Sequence, residues 1–192
     1  SGGLEKYGIG RLTLSGSNGY TGVTTLYEGT LSLGGANALA GNGNVTFAGG
    51  TLQFSASNTV DLASRIVGSG SAMVLDTNGQ DVVFAGNLVA GNSGGLTKLS
   101  AGTLGIGSAN ALGGNGNVTF TGGTLKAETN LGTLGNAIVN STGAIAIDTG
   151  TYAVTIAANV APGNSGGLEK YGIGRLTLSG SNGYTGVTTL YE

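Results

Sequence analysis

The 192-residue sequence has no cysteine, no histidine, no tryptophan and a single proline. Without cysteine there is no disulfide framework. Without histidine or cysteine the commonest general base, the thiol nucleophile and the soft metal ligands are all missing. Charge is also scarce: seven basic and nine acidic residues are scattered along the chain, for a formal net charge of −2. No electropositive stripe is available to neutralise phosphates, and no basic amphipathic face to lie on a membrane, so nucleic acid is not an expected partner. No apolar run approaches the ~20 residues that a membrane-spanning helix needs. Direct membrane insertion of this segment is therefore not expected.

What is abundant is glycine, with 41 residues, in a chain that is 39% hydrophobic. The glycines follow no strict three-residue period, which excludes a collagen triple helix, and the hydrophobic fraction argues against wholesale disorder. A turn-rich, all-β chain remains.

Repetition organises it. Residues 1–28 recur letter for letter at 165–192, and a weaker repeat of about twenty residues runs between them. Gly29 to Ala56 matches Gly102 to Thr129 at an offset of 73, and Val67 to Gly95 matches Val139 to Gly167 at an offset of 72. The segment 94–102 looks like 2–29 with one short repeat unit removed. Loss of a whole unit is what a quasi-one-dimensional stack tolerates, because each unit contacts only its neighbours. The whole of 1–192 reads as one segment of a longer array. The residue after Glu192 is expected to correspond to Gly29, which makes 1–164 one long unit of that array.

Short strands recur on this repeat. They are Arg11-Leu12-Thr13-Leu14, Thr30-Leu31-Ser32-Leu33, Thr51-Leu52-Gln53-Phe54, Ala72-Met73-Val74-Leu75, Thr103-Leu104-Gly105-Ile106, Thr124-Leu125-Lys126-Ala127, Ala144-Ile145-Ala146-Ile147 and Arg175-Leu176-Thr177-Leu178. Period-two alternation places Leu12, Leu14, Leu31, Leu33, Leu52, Phe54, Met73, Leu75, Leu104, Ile106, Leu125, Ile145, Ile147, Leu176 and Leu178 on one face, as a core column. The outward column reads Thr13, Ser32, Gln53, Val74, Gly105 and Lys126, too irregular for a flat ice-binding array. A second strand column precedes the first, at Leu4, Val23, Val45, Ile66, Val82, Leu96, Val118, Ile138, Val154 and Leu168. Two longer gaps, between Leu75 and Thr103 and between Ile147 and Arg175, are expected to hold shorter rungs built on Asn87-Leu88-Val89 and Asn159-Val160-Ala161.

Asn18, Asn37, Asn58, Asn78, Asn92, Asn110, Asn130, Asn164 and Asn182 follow the apolar strands at turns. Asn tolerates left-handed backbone angles and bonds its own turn, and in stacked turns its amide can also donate to the Asn above, so these positions predict an Asn ladder. Two strands per rung and parallel stacking describe a right-handed parallel β-helix of about ten rungs of roughly 14–22 residues, a solenoid roughly 50 Å long at ~4.8 Å per coil.

The run Gly2-Gly3-Leu4-Glu5-Lys6-Tyr7-Gly8-Ile9-Gly10-Arg11-Leu12-Thr13-Leu14-Ser15-Gly16-Ser17-Asn18-Gly19-Tyr20-Thr21-Gly22-Val23-Thr24 resembles the autotransporter-associated β-strand repeat (PATR) family. The shared pattern is G-G-L-x-K-x-G-x-G-x-L-x-L-x-G-x-N-x-Y-x-G-x-T; it recurs at 166–188 and, shortened, at 94–106. The resemblance implies a β-helical passenger or stalk of a bacterial protein exported by the type V pathway, located at the cell surface or outside the cell. In that pattern Lys6, Lys98 and Lys170 recur at one corner, where a charge is expected to cover apolar stem surface or discourage edge pairing. Tyr20 and Tyr184 are expected to pack across a corner.

Catalytic readings find little support. Asp61, Asp76, Asp81, Glu128 and Asp148 are dispersed, and equivalent Asp76 and Asp148 would lie several rungs apart, too far for a catalytic pair. Asp76-Thr77-Asn78-Gly79-Gln80-Asp81 is the most metal-like stretch, but its counterpart Asp148-Thr149-Gly150-Thr151-Tyr152-Ala153 loses most of the oxygen ligands. Gly41-Asn42-Gly43-Asn44 and Gly91-Asn92-Ser93-Gly94-Gly95 lack the helix and Lys-Ser/Thr ending of a phosphate loop. No catalytic, cofactor or metal residues are assigned. The expected role is a rigid spacer in a surface or secreted fibre, whose partners are neighbouring repeats, with end-to-end or lateral self-association. The alternative is an adhesin or matrix-forming fibre that binds through its lateral surface or ends, and a glycan-active β-helix enzyme is a distant third.

Overall fold

A computed structural model describes residues 2–39, 43–89, 91–112 and 116–192. Every strand pairing in the described residues is parallel, and each strand's ladder partner is the equivalent strand one coil away, as Leu12 is beside Leu31 and Leu52 beside Leu75. The chain is thus a β-solenoid. Interior strands hydrogen-bond to the coil before and the coil after them, and glycine-rich corners join the strands.

Three sides make up a coil. On side one, β1 (Leu4–Lys6), β3 (Thr24–Leu26) and β5 (Val45–Phe47) stack in order, and Ile66 continues the column by a bridge to Val45. Side two runs through β2 (Arg11–Leu14), β4 (Thr30–Leu33), β6 (Thr51–Gln53), β7 (Met73–Asp76), β9 (Leu96–Leu99) and β11 (Val118–Phe120). Bridges extend it from Val118 to Ile138, Val160 and Asn182. Side three is irregular in the early coils, where it includes a 3-10 turn at Ala63–Arg65. It then becomes the sheet β8 (Asp81–Phe84), β10 (Thr103–Ile106), β12 (Thr124–Ala127), β14 (Ile145–Asp148), β16 (Leu168–Tyr171) and β18 (Thr188–Leu190). A fourth sheet, β13 (Gly132–Leu134), β15 (Val154–Ile156) and β17 (Leu176–Leu178), lies in chain order between side three and the return to side two. That is the place of side one.

The side-two column, from Arg11 to Asn182, gives about eight turns rather than the ten expected. The difference lies in the two long gaps. No short rung fills them: after β7 on side two the chain forms β8 on side three, and it returns to side two as β9, before the next Thr-Leu strand, β10, forms on side three. Val160 likewise lies on side two, between Ile138 and Asn182. The stretch from Ala72 to Thr103 therefore spans one coil and one further side.

The same geometry explains the long repeat. From Thr30 on β4, three turns up side two lead through Thr51 and Val74 to Thr97, and Thr103 begins the next side. An offset of 72 or 73 is therefore about three turns and a third, and each copy of the repeat moves one side around the coil. Leu4 lies on side one, Leu96 on side two and Leu168 on side three. The identical segments 1–28 and 165–192 consequently occupy different sides.

Inside, Leu31, Leu33, Leu52, Phe54, Met73, Leu75, Leu104, Ile106, Leu125, Ile145 and Ile147 are buried, and Leu12, Leu14, Leu176 and Leu178 in the end coils are partly buried against them. Each full burial contributes ~1.5–3 kcal/mol. Outside, the register departs from the expected column. The step from β6 to β7 is longer than the steps before it, and it sets Thr51 beside Val74 and Gln53 beside Asp76. The outward rows on side two are then Arg11-Thr30-Thr51-Val74-Thr97-Thr119 and Thr13-Ser32-Gln53-Asp76-Leu99. The Gln53 amide donates to Asp76 Oδ2 at 2.8 Å across that step.

Candidate functional site: the buried corners

Lys98 stands on β9 between Leu75 of β7 and Phe120 of β11, in an inward column that is otherwise apolar. It is fully buried. Its Nζ donates to Thr77 Oγ1 at 2.7 Å, to the Leu99 carbonyl at 2.7 Å and to the Ser100 carbonyl at 3.0 Å. All three N–H bonds of the ammonium are thereby used. Thr77 belongs to the coil below, and its own hydroxyl donates to the Ala101 carbonyl at 2.8 Å. From the coil above, Gly123 closes the corner at φ +74°, where an added Cβ would lie 2.2 Å from Lys98 Nζ. Only glycine fits, both for its backbone angle and for the space the ammonium fills. Burial pushes the Lys98 ammonium down to about 8, and the nearby Asp76 carboxylate offsets part of that.

Lys6 repeats the arrangement on side one beside Leu26, with its Nζ donating to the carbonyls of Tyr7 (2.8 Å), Gly8 (2.6 Å) and Glu28 (3.2 Å). Lys170 repeats it on side three between Ile147 and Leu190, donating to the Gly172 carbonyl. The expectation that these lysines cover stem surface or guard an edge is therefore corrected. They point inward and bond the carbonyls of a tight corner.

The asparagines do related work at other corners. Asn92 and its counterpart in the long repeat, Asn164, are buried and bonded alike. Their Oδ1 atoms accept from the Ser69 and Ser141 amides at 2.9 and 2.7 Å. Their Nδ2 groups donate to the Ile66 and Ile138 carbonyls, each at 2.8 Å. Ser69 and Ser141 in turn accept from the Phe47 and Phe120 amides, each at 3.0 Å. A polar chain thus crosses three coils at each site. Asn58 donates to the Gly35 carbonyl at 2.8 Å and Asn18 to the Ala38 carbonyl at 2.9 Å, again between coils. Asn182 bonds within its own turn through Gly180, Asn130 through Gly132, and Asn78 adopts φ +50°. Asn37 receives the Asn18 amide on its backbone carbonyl, and Asn110 donates its backbone N–H to Ser108 Oγ. Ser69 and Ser141 stand outside the sequence motifs, although they recur at the same offset as the asparagines they serve, and Thr77, noted only in the metal-like stretch, serves Lys98 instead.

Three of the five candidate carboxylates accept backbone amides, and Glu128 pairs with Lys126 at 3.1 Å. Asp76 accepts from the Asn78 amide, Asp148 from the Gly150 amide, and Asp61 from the Ala63 and Ala85 amides. Among the described residues no group of three or more Asp or Glu side chains could hold a metal ion. Tyr20 and Tyr184 pack against the core with their hydroxyls on Thr24 and Thr188 at 3.1 and 2.8 Å. No helix among the described residues is long and apolar enough to cross a membrane.

Two of the three lysine corners, those of Lys6 and Lys170, lie in stretches that match a family model, and the Lys98 corner lies between them. Residues 4–33 and 168–192 match the family model described as Passenger-associated-transport-repeat. The match covers two separate stretches of the chain. Residues between the two passenger-associated repeats continue the same solenoid without interruption of the side-two column. No curated protein and no solved structure matches the chain. The passenger-associated repeat and the β-solenoid together suggest a structural repeat module of an autotransporter passenger, and with it a secreted or surface-located protein.

Proposed function

We propose that the chain is a structural repeat module of a bacterial cell-surface or secreted fibre, a rigid spacer that does no catalysis and whose repeating unit is the segment 1–164. The observation that carries this reading is the side-two ladder, which runs from β2 to Asn182 with backbone hydrogen bonds directed along the axis. About eight coils at a rise of ~4.8 Å make a rod of roughly 40 Å. Bending it would stretch every ladder on the convex side at once, and Lys6, Lys98, Asn18, Asn58, Asn92 and Asn164 add side-chain bonds between coils. The backbone bonds of Asp61, Asp76 and Asp148 support the non-catalytic reading. Neighbouring repeats are the partners such a rod requires.

A second reading, an adhesive or matrix-forming fibre, is favoured by the apolar corner tips Ile9 and Ile173, which are 92% and 77% exposed. Solution scattering from chains of one, two and three copies of the 1–164 unit tests the spacer. Constant cross-section and a length growing by roughly 35–40 Å per unit, at ~4.8 Å per coil, is the expected outcome. Units that scatter as flexibly linked beads would overturn it.

A further inference from the structure

Two pairs of tyrosines stack on the outside of the rod. The rings of Tyr7 and Tyr27 are 4.4 Å apart and 6° from parallel, and those of Tyr171 and Tyr191 are 4.6 Å apart and 7° from parallel. The ladder imposes this spacing: the Tyr27 amide donates to the Lys6 carbonyl and the Tyr191 amide to the Lys170 carbonyl, so the two residues of each pair sit in register on consecutive coils. Tyr7 is 59% and Tyr191 44% exposed. Each pair also carries a carboxylate, with the Tyr7 hydroxyl donating to Glu5 Oε2 at 3.2 Å and the Tyr171 hydroxyl to Glu169 Oε2 at 2.9 Å. The middle copy has Thr97, Leu99 and Thr121 at the corresponding places and lacks the whole arrangement.

We propose that the Tyr7–Tyr27 and Tyr171–Tyr191 pairs are modification sites, at which a one-electron oxidant such as a peroxidase with hydrogen peroxide joins the two rings into a dityrosine that staples adjacent coils. Each tyrosine gives one electron to the oxidant and loses its phenolic proton. Glu5 and Glu169 are placed to receive that proton from Tyr7 and Tyr171. The raised phenol values, about 12 for both, keep these groups protonated until oxidation; the cause is first the Tyr27 hydroxyl for Tyr7 and first desolvation for Tyr171, with the carboxylate adding in each case. The unpaired electron of a phenoxyl radical spreads onto the ring carbons ortho to oxygen, in orbitals perpendicular to the ring. Parallel stacking points those orbitals at each other. A carbon–carbon bond forms between the ortho carbons, and the hydrogen on each then leaves as a proton while a proton returns to each oxygen, restoring both aromatic rings. In total, two hydrogens leave the protein and one peroxide is reduced to two waters.

Tyr20 and Tyr184 offer no such approach, since they pack against the core with their hydroxyls on threonines. The test is to treat the full chain, dilute, with peroxidase and hydrogen peroxide and to map dityrosine by fluorescence and peptide mass spectrometry. The expected products are intramolecular 7–27 and 171–191 links, each lowering the mass by two hydrogens. Tyr7→Phe removes the first link alone and Tyr171→Phe the second alone, while Glu5→Gln slows the first and leaves the second unchanged. In guanidinium the site selectivity disappears. Links spread equally over Tyr20, Tyr152 and Tyr184 in the folded chain, or found only between molecules, would overturn the proposal.

Discussion

Lys98 puts a charge in a column where its neighbours, Leu75 and Phe120, are apolar, and the fold accommodates it only by supplying three acceptors. Lys98→Met removes the donor from those acceptors and is expected to lower stability by on the order of 2 kcal/mol, from the cost of buried unsatisfied groups, measured by denaturant unfolding. Its pH dependence follows from the lowered ammonium. Between about 8 and the ordinary value of 10.5 the unfolded chain holds a proton that the folded chain has released. Stability attributable to Lys98 therefore rises with pH across that window and stays at its lower level below it. The Lys98→Met chain should lack this rise, and an unchanged slope would show that the ammonium is not buried. The inward direction is available from alternation alone, since Leu4 and Lys6, like Leu96 and Lys98, share a strand face. Hydropathy argues the other way, because a lone lysine inside is uncommon. The partners Thr77 and Gly123 are not legible in the sequence, since they come from other coils.

Strands are easier to read than their placement. Arg11–Leu14, Thr30–Leu33 and Thr103–Ile106 form strands over the ranges the Thr-Leu motif indicates. Alternation says which side chains face inward but not which side of the coil a strand occupies. Leu75 and Leu104, read as successive members of one column, therefore lie on sides two and three. The offset of 72 or 73 contains the answer, because it is not a whole number of turns. Removal of a whole coil should be harmless and removal of part of one should not. Deleting residues 30–50 leaves Thr51 to take Thr30's place beside Arg11, and is expected to give a folded, cooperatively unfolding chain one coil shorter. Deleting residues 30–39 instead shifts all later strands out of register and is expected to abolish cooperative unfolding in a thermal melt followed by circular dichroism. Equal damage from both deletions would contradict the stack.

The molecule as a whole is a three-sided rod in which one sequence, present at 1–28 and again at 165–192, lies on two different sides, its first copy starting on side one and its second on side three. A surface feature carried by that sequence is thereby presented in two different directions along the rod, and the stacked tyrosines are one such feature. The stretch from β7 through β9 to β10, where the Thr-Leu strands pass from side two to side three, is where this geometry departs from a simpler two-column helix. With no cysteine in the chain, paired nitroxide labels can be placed there without competition. Labels at Val74→Cys and Thr97→Cys should show the strong dipolar broadening of ladder neighbours ~5 Å apart. Strong broadening between Val74→Cys and Thr103→Cys, with none between Val74→Cys and Thr97→Cys, would contradict the three-sided coil.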